Sequence, residues 1–327
     1  MTDADGELVR LAQRFTRFAA AEAHGECEIY ENLALAVAGS DELLAFLASL
    51  PVDRRQPNLF LAAIRHVCGV PDSTNRLLHI IREQHGRIRE VMLSRTTQTN
   101  EPARCSVLLP VLARLPQPLA LLEVGASAGL CLLPDRYGYD YGTHRIEPAN
   151  ARAPVFPCKV TGQVLLPETV PHIVWRRGLD LNPIDLRSED GVAWLENLVW
   201  PDQQERARRL RAAIAIARRE LPTVVKGDLL TDLEPLAATA PQDVTLVVFH
   251  TAVLAYVASR SARDRFAEAI ARTKAIWISN EAPSVFPSFA ERAPPAPAAG
   301  SFLLAVDGSP LAWTGPHGQS IDWFGSL

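Results

Sequence analysis

The sequence is poor in lysine, and its charge balance limits the classes of protein to consider. Lysine occurs only at Lys159, Lys226 and Lys274, and Lys plus Arg (33) fall short of Asp plus Glu (37). A net charge of −4 argues against a protein that holds nucleic acid by its phosphates, because such proteins are usually basic. We therefore expect a small-molecule partner and no nucleic acid.

Cysteine, long apolar runs and metal-ligand patterns are also scarce. The five cysteines are widely spaced and form no C-x-x-C pair, which indicates reduced thiols. The sequence contains no run of about 18 apolar residues, so no membrane span is predicted. Its acidic start lacks the order of a signal peptide, in which a basic segment precedes an apolar one. We expect a cytoplasmic protein. The eight histidines show no metal-binding spacing, so no metal site is predicted, and G-x-S-x-G and P-loop motifs are lacking.

Helical periodicity dominates the first third of the chain. Apolar residues recur at helical spacing in 7–24, 28–39, 41–49, 58–68 and 75–93. We interpret 1–115 as an all-helical region that caps a pocket and selects the substrate.

From residue 116 the pattern changes to short apolar runs separated by helical segments. This alternation predicts an α/β fold with a doubly wound, mostly parallel sheet over 116–327. The predicted strands are Leu119–Val124, Ile173–Trp175, Thr223–Asp228, Val244–Phe249 and Ala275–Ser279. A terminal antiparallel pair is predicted at Phe302–Val306 and Ile321–Phe324, joined by a loop at Asp307–Gln319.

Two segments interrupt this alternation. Residues 137–172 contain three tyrosines and several prolines with little helical period, and we interpret them as an insertion that forms a hairpin over the sheet edge. Residues 283–300 are rich in proline and alanine, which is typical of a mobile loop or lid.

Small residues alternate with glycine directly after the first predicted strand. Glu123, Gly125, Ser127 and Gly129 then lead into what looks like the start of a helix. Such a turn lets a cofactor approach the backbone and the positive end of a helix. The spacing resembles motif I of class I S-adenosylmethionine-dependent methyltransferases, with serine where glycine is common.

Acidic residues follow the next two strands. Asp180 resembles the methyltransferase carboxylate that accepts the ribose hydroxyls, although about 50 residues separate it from Gly129 where about 20 is usual. Asp228 resembles the residue that faces the adenine amino group. The alternative for each is a helix cap or a turn-forming aspartate.

The turn favours one cofactor class over another. A pyrophosphate normally requires Gly-x-Gly-x-x-Gly, and Glu123 would repel it, whereas an acid suits a cationic ligand derived from methionine. We therefore expect S-adenosylmethionine rather than NAD(P). A nicotinamide-dependent oxidoreductase and a non-catalytic ligand- or partner-binding module remain as alternatives.

Polar residues at the fourth strand are candidates for chemistry. His250 is the predicted general base, because its ordinary pKa lies near neutrality, and the alternative is a buried structural histidine. Tyr256 in the same segment is predicted to contact substrate. Asn280 and Glu281 after the fifth strand either line the pocket or cap a turn.

A second polar cluster precedes the first strand. Thr99 or Asn100 caps the next helix in one interpretation. That role leaves most of the cluster unexplained, so we predict that it binds substrate or the amino-acid end of the cofactor. The predicted substrate-binding residues are Arg95, Gln98, Asn100, Glu101 and Arg104.

Several segments together resemble a bacterial family of unknown function, number 2332 in the domain-of-unknown-function series. The resemblance spans roughly 15–325 and implies a class I methyltransferase-like architecture without a known substrate. Cys131 departs from the asparagine that such sequences often carry. The segments are Arg95–Arg104, Leu122–Leu130, Asp135–Tyr137, Trp175–Pro183, Val199–Gln203, Val248–Tyr256 and Pro316–Gly318.

Overall fold

A computed structural model describes residues 3–257 and 259–326, and its contacts divide the chain into two units. The first unit comprises the described part of Met1–Thr99 together with Ser188–Arg208. The second comprises Asn100–Arg187 and the described part of Arg209–Leu327.

The first unit is helical because amphipathic segments bury their apolar faces against one another. Phe15 and Phe60 meet edge to face at 6.1 Å and are both fully buried, while serine caps begin several helices, as at Ser40 and Ser73. The helices are α1 (Asp3–Phe18), α2 (Glu28–Ala38), α3 (Asp41–Ala48), α4 (Pro57–Cys68), α5 (Thr74–Ser94) and α7 (Glu189–Leu198), with the first residues of α8 (Gln204–Glu220).

The second unit is built on a nine-stranded sheet. Its members are β1 (Leu119–Val124), β5 (Lys159–Gly162), β6 (Ile173–Asp180), β7 (Thr223–Lys226), β8 (Thr245–Thr251), β9 (Ile276–Glu281), β10 (Phe302–Val306), β11 (Ser309–Thr314) and β12 (Ser320–Trp323). The strand order is β5-β12-β11-β10-β9-β8-β1-β6-β7. Five neighbouring pairs are parallel and three are antiparallel. The predicted α/β class with a large, mostly parallel sheet is confirmed.

Further helices of the second unit lie before and between the strands. They are α6 (Cys105–Leu112), α9 (Leu233–Ala237), α10 (Arg260–Thr273) and α11 (Pro287–Ala290), together with the remainder of α8. Phe266 of α10 is fully buried in a core that includes Leu122, Val124 and Val248. This apolar core covers one face of the central strands.

The end of the chain differs from the prediction. The segment Asp307–Gln319 was expected to be a loop, but it contains β11, and β10 and β12 are therefore not neighbours. Pro310 lies in β11, where its lack of an N–H weakens a sequence-based strand assignment. The glycines that flank β11 turn the chain, which gives a meander of three strands instead of one pair.

The predicted insertion forms mainly a small separate sheet. Its strands are β2 (Gly138–Asp140), β3 (Arg145–Ile146) and β4 (Val155–Pro157), in the order β3-β2-β4. The β2–β3 pair is antiparallel, as a hairpin requires. β5 follows and joins the edge of the large sheet beside β12.

Candidate functional site at the strand ends

The parallel strands have a switch point between β1 and β8. The chain passes from β1 to β6 and β7 on one side, then returns to β8 and β9 on the other. In an open α/β sheet, ligands bind beyond the carboxyl ends of the strands at such a point. All of the predicted cofactor residues belong to segments at or just after these strand ends.

The loop after β1 is held in a left-handed backbone conformation. Gly125, Ser127 and Gly129 have φ values of 71°, 52° and 75°. A Cβ at Gly125 would lie 2.2 Å from Cγ2 of Val253, so glycine is required there both by backbone conformation and by packing. Ser127 adopts the same left-handed region although it carries a side chain, which is uncommon for a residue other than glycine.

The predicted helix after this loop is wrong. The segment forms two short 3-10 turns, at Leu130–Leu132 and Pro134–Arg136, and then enters β2. Pro134 has no N–H to donate to the Leu130 carbonyl one helical turn earlier. That carbonyl instead accepts from the Tyr137 hydroxyl at 2.8 Å. The loop therefore has no α-helix N-terminus behind it.

Asp180 holds the loop in place from the end of β6. One of its carboxylate oxygens accepts from the Ser127 N–H at 2.8 Å, and the other accepts from the Asn182 N–H at the same distance. Its side chain is buried, with 8% of the residue exposed. The structure thus brings Asp180 to the predicted loop, and its contact with a ribose stays a prediction.

Glu123 is a buried carboxyl group whose environment favours the neutral form. The residue is 2% exposed, and its Oε2 atom forms no hydrogen bond with the described residues. Burial raises its pKa well above the ordinary value, and the nearby Cys131 and Asp180 raise it further, while Arg104 opposes the shift. A cation that approached Oε2 would favour ionisation of this group.

Asp228 lies beyond β7 and is exposed. Its carboxylate accepts from the Leu230 N–H at 2.7 Å, and its own N–H donates to Asp232 at 2.7 Å. These bonds form an aspartate-stabilised turn, which was the alternative interpretation of this residue. The predicted contact with adenine stays untested.

His250 is completely buried and has both ring nitrogens engaged. Nε2 accepts from the Trp277 indole N–H at 2.9 Å, and Nδ1 lies 2.7 Å from Oε1 of Glu281. Because an indole N–H only donates, Nδ1 carries the proton and donates it to Glu281. In this arrangement neither nitrogen is available to accept a proton from a ligand.

The sheet register places His250 on the face of the sheet opposite to Glu123. Val124 pairs with His250, so Glu123 and His250 point to opposite faces of the sheet. The His250 ring contacts Phe266 at 5.5 Å, on the side of the apolar core. The structure therefore does not bring His250 together with Glu123 and Asp180 in one pocket.

Glu281 organises the segment after β8. Its Oε1 atom accepts from the N–H groups of Val253 and Leu254 at 2.9 and 3.1 Å, in addition to the bond from His250. Glu281 therefore caps a turn, which was one of the two interpretations of the Asn280–Glu281 pair. Tyr256 in the same segment is 70% exposed, and its contact with a substrate stays a prediction.

The predicted substrate-binding cluster is divided between the two units. Arg95 and Gln98 belong to the first unit and Asn100, Glu101 and Arg104 to the second. Within the first unit, Arg95 forms an ion pair with Asp190, and its guanidinium lies 5.3 Å from the Trp194 ring centroid.

The members in the second unit form hydrogen bonds within that unit. Asn100 accepts from the Leu130 N–H at 2.9 Å, so it does not cap the helix that follows it in sequence. Glu101 occupies the capping position instead and accepts from the Ala103 N–H at 3.1 Å. Arg104 donates to the carbonyls of Pro316 and Thr251.

An ion pair at the loop was missed by sequence reasoning. Arg176 donates to both carboxylate oxygens of Asp135, at 2.8 and 3.1 Å, and to the Leu132 carbonyl at 3.0 Å. The juxtaposition of Arg-Arg with Asp135 could not be inferred, because 41 positions separate the partners.

Within 3–257 and 259–326, no group of three or more His, Cys, Asp or Glu side chains is arranged to hold a metal ion. No helix in this part of the chain combines the length and the apolar character of a membrane span.

The sequence was compared with protein families, curated proteins and solved structures. A family model described as "Uncharacterized protein conserved in bacteria (DUF2332)" matches residues 12–323. No curated protein and no solved structure matches the chain.

Proposed function

We propose that this chain, which belongs to the DUF2332 family of uncharacterized bacterial proteins, binds S-adenosylmethionine and methylates a small molecule. The supporting observation is Glu123, a buried carboxyl group with an unpartnered Oε2 at the switch point of the parallel sheet. A buried carboxyl oxygen without a hydrogen-bond partner is costly, and a cationic ligand would offset that cost.

The other strand-end residues suit the rest of such a ligand. Asp180 lies beside the loop at the end of β6, and a carboxylate is the kind of group that accepts hydrogen bonds from the hydroxyls of a ribose. Asp228 is exposed beyond β7, on the outer side of Asp180 in the strand order. When bound, S-adenosylmethionine would supply an electrophilic methyl group, and the protein's residues would hold and orient it.

A dinucleotide fits these residues less well. Pyrophosphate binding relies on backbone N–H groups and the dipole at a helix N-terminus. In this chain only short 3-10 turns follow the loop, and a carboxyl group precedes it. We therefore favour the sulfonium cofactor over NAD(P).

A second candidate function is ligand binding without catalysis. His250, the predicted base, has both ring nitrogens occupied and lies on the face opposite Glu123. A methyl acceptor that must lose a proton would lack this base on the loop face. This observation favours either a non-catalytic module or an acceptor that is already deprotonated.

Isothermal titration calorimetry tests the proposal. The chain is titrated with S-adenosylmethionine, S-adenosylhomocysteine and NAD⁺, and repeated with Asp180→Asn and, as a surface control, Asp72→Asn. We expect both sulfur ligands to bind, NAD⁺ not to bind, and only Asp180→Asn to weaken binding. Failure of both sulfur ligands to bind at millimolar concentration would overturn the proposed function.

A further inference from the structure

Arg104 is a buried cation without a carboxylate partner. The residue is 7% exposed, and its Nε and Nη1 atoms donate to the carbonyls of Pro316 and Thr251 at 2.9 and 3.1 Å. None of the ion pairs among the described residues involves Arg104. Buried arginines are normally paired with an anion. Within the described residues Arg104 has no such direct partner, since it acts on the carboxyl group of Glu123 electrostatically without forming an ion pair with it.

Asn280 presents a second unused donor. It is fully buried, and its Oδ1 atom accepts from the Thr314 hydroxyl at 2.7 Å. This bond fixes the orientation of the amide, and its Nδ2 atom has no hydrogen-bond partner in the described parts of the chain. A buried N–H without an acceptor costs free energy unless a ligand or a water accepts from it.

The two residues converge on Thr251 at the carboxyl end of β8. Thr251 is the register partner of Asn280 on β9, so their side chains share a face. Arg104 contacts the same threonine through its carbonyl and, at 3.5 Å, its hydroxyl. By the alternation along β8, Thr251 lies on the face of Glu123 and not on that of His250.

We propose that Arg104 and Asn280 form a subsite for the carboxylate of a small molecule. A cationic donor and a neutral donor on the same side of Thr251 match the two oxygens of a carboxylate. Phosphate fits less well, because two guanidinium nitrogens of Arg104 are already engaged with protein carbonyls. The subsite itself is independent of the proposed function, but its assignment to a methyl-acceptor substrate rests on that function.

The position of Asn280 favours the substrate over the cofactor as the source of the carboxylate. β8 lies between β9 and β1, so Asn280 is about 10 Å across the sheet from the strand that leads into the loop. The α-carboxylate of S-adenosylmethionine is the other possible source. A carboxylic acid substrate would also be deprotonated at neutral pH, which agrees with the position of His250 on the opposite face.

Saturation-transfer difference NMR tests the subsite with defined probes. The intact chain is titrated with acetate, benzoate and phenylacetate, with the corresponding amides, and with inorganic phosphate. The same titrations use Asn280→Asp, which replaces the donor by an anion of the same size. They also use Thr314→Val, which removes the hydroxyl that orients Asn280, and the exposed control Asn75→Asp. Circular dichroism establishes that each variant is folded.

The expected result is binding of at least one carboxylate, no binding of its amide, and an affinity loss of about tenfold or more in Asn280→Asp and Thr314→Val. Absence of carboxylate binding to the unmodified chain, equal binding by both variants and the control, or preferential binding of phosphate would overturn the subsite. If a water molecule, and not a ligand, accepts from Asn280, no carboxylate should bind to the unmodified chain.

A second arm identifies the source of the carboxylate. The affinities of S-adenosylmethionine and of 5′-methylthioadenosine, which lacks the carboxylate, are measured for the unmodified chain and for Asn280→Asp. Equal effects of the substitution on both ligands assign the subsite to the substrate, and a selective loss for S-adenosylmethionine assigns it to the cofactor. If neither nucleoside binds but carboxylates do, the proposed function fails and the subsite stands.

Discussion

Glu123 and His250 lie on opposite faces of the central sheet, because the residue after Glu123 is the register partner of His250. Glu123 faces the loop with Asp180, whereas His250 contacts Phe266 and Trp277 in the apolar core. A ligand seated on the loop would meet an acid and not a histidine. The chemistry available to the two faces is therefore different.

Replacing Glu123 by Gln should stabilise the protein at neutral pH by roughly 1–3 kcal/mol, because the amide removes the cost of a buried acid. Burial raises the folded-state pKa of Glu123, so the folded state binds its proton more tightly than the unfolded state. Its contribution to stability is fully present below the unfolded pKa of about 4.3 and is lost as the pH rises through the folded pKa.

Urea unfolding between pH 4 and 8 measures this effect. The free energy of unfolding of Glu123→Gln should fall less steeply with rising pH than that of the unmodified chain. The exposed Glu90→Gln serves as control and should leave the slope unchanged. An unchanged slope in Glu123→Gln would mean that this carboxyl group does not titrate in the folded state as its burial implies.

His250→Gln should destabilise the fold by about 2–4 kcal/mol, since it disrupts a fully buried bridge between Trp277 and Glu281. We expect thermal unfolding to occur at lower temperature and the tryptophan fluorescence to change, while affinity for S-adenosylmethionine stays within about threefold. The exposed His79→Gln is the control. Normal stability combined with loss of turnover would instead support His250 as the base.

Gly125→Ala should cost about 2 kcal/mol or more, because its φ of 71° disfavours alanine and the new Cβ would overlap Val253. The double variant with Val253→Ala should recover only part of this loss, since the backbone conformation stays unfavourable. Gly86→Ala in α5, where a Cβ meets no atom within 4 Å, should be neutral or slightly stabilising. Thermal unfolding of the three variants separates packing from backbone strain.

Asp135→Asn should destabilise the second unit by about 3 kcal/mol, because it leaves the mostly buried guanidinium of Arg176 without its carboxylate. The pair Arg187–Asp185 is exposed, so Asp185→Asn should leave the free energy of unfolding nearly unchanged. Denaturant unfolding compares the two. Similar values for both would show that the buried pair adds nothing beyond a surface ion pair.

The parallel strands were predictable because their apolar runs end at polar or small residues. The prediction ended the second strand at Trp175, whereas β6 continues to Asp180. Arginines normally indicate a solvated strand end, but Arg176 is neutralised by Asp135. That partner becomes adjacent only when the chain folds, so local sequence could not reveal it.

The sequence predicted which residues of the candidate site lie at strand ends, but not which face of the sheet each residue occupies. Spacing identified Glu123, Asp180 and the loop glycines, since these follow directly from strand ends. The face occupied by His250 depends on register between β1 and β8, which a single sequence does not specify. The buried donors of Arg104 and Asn280 were equally inaccessible, because an unsatisfied hydrogen-bonding group is defined by what surrounds it.

The interleaving of the two units has a consequence for synthesis of the chain. Ser188–Arg208 completes the helical unit, although Asn100–Arg187 of the other unit precedes it. On the ribosome, the first unit cannot reach its final set of contacts until residue 208 has emerged. By then β1 and β6 have been made, while β7, β8 and β9 have not. The sheet of the second unit therefore still lacks these strands when the last segment of the first unit has been synthesised.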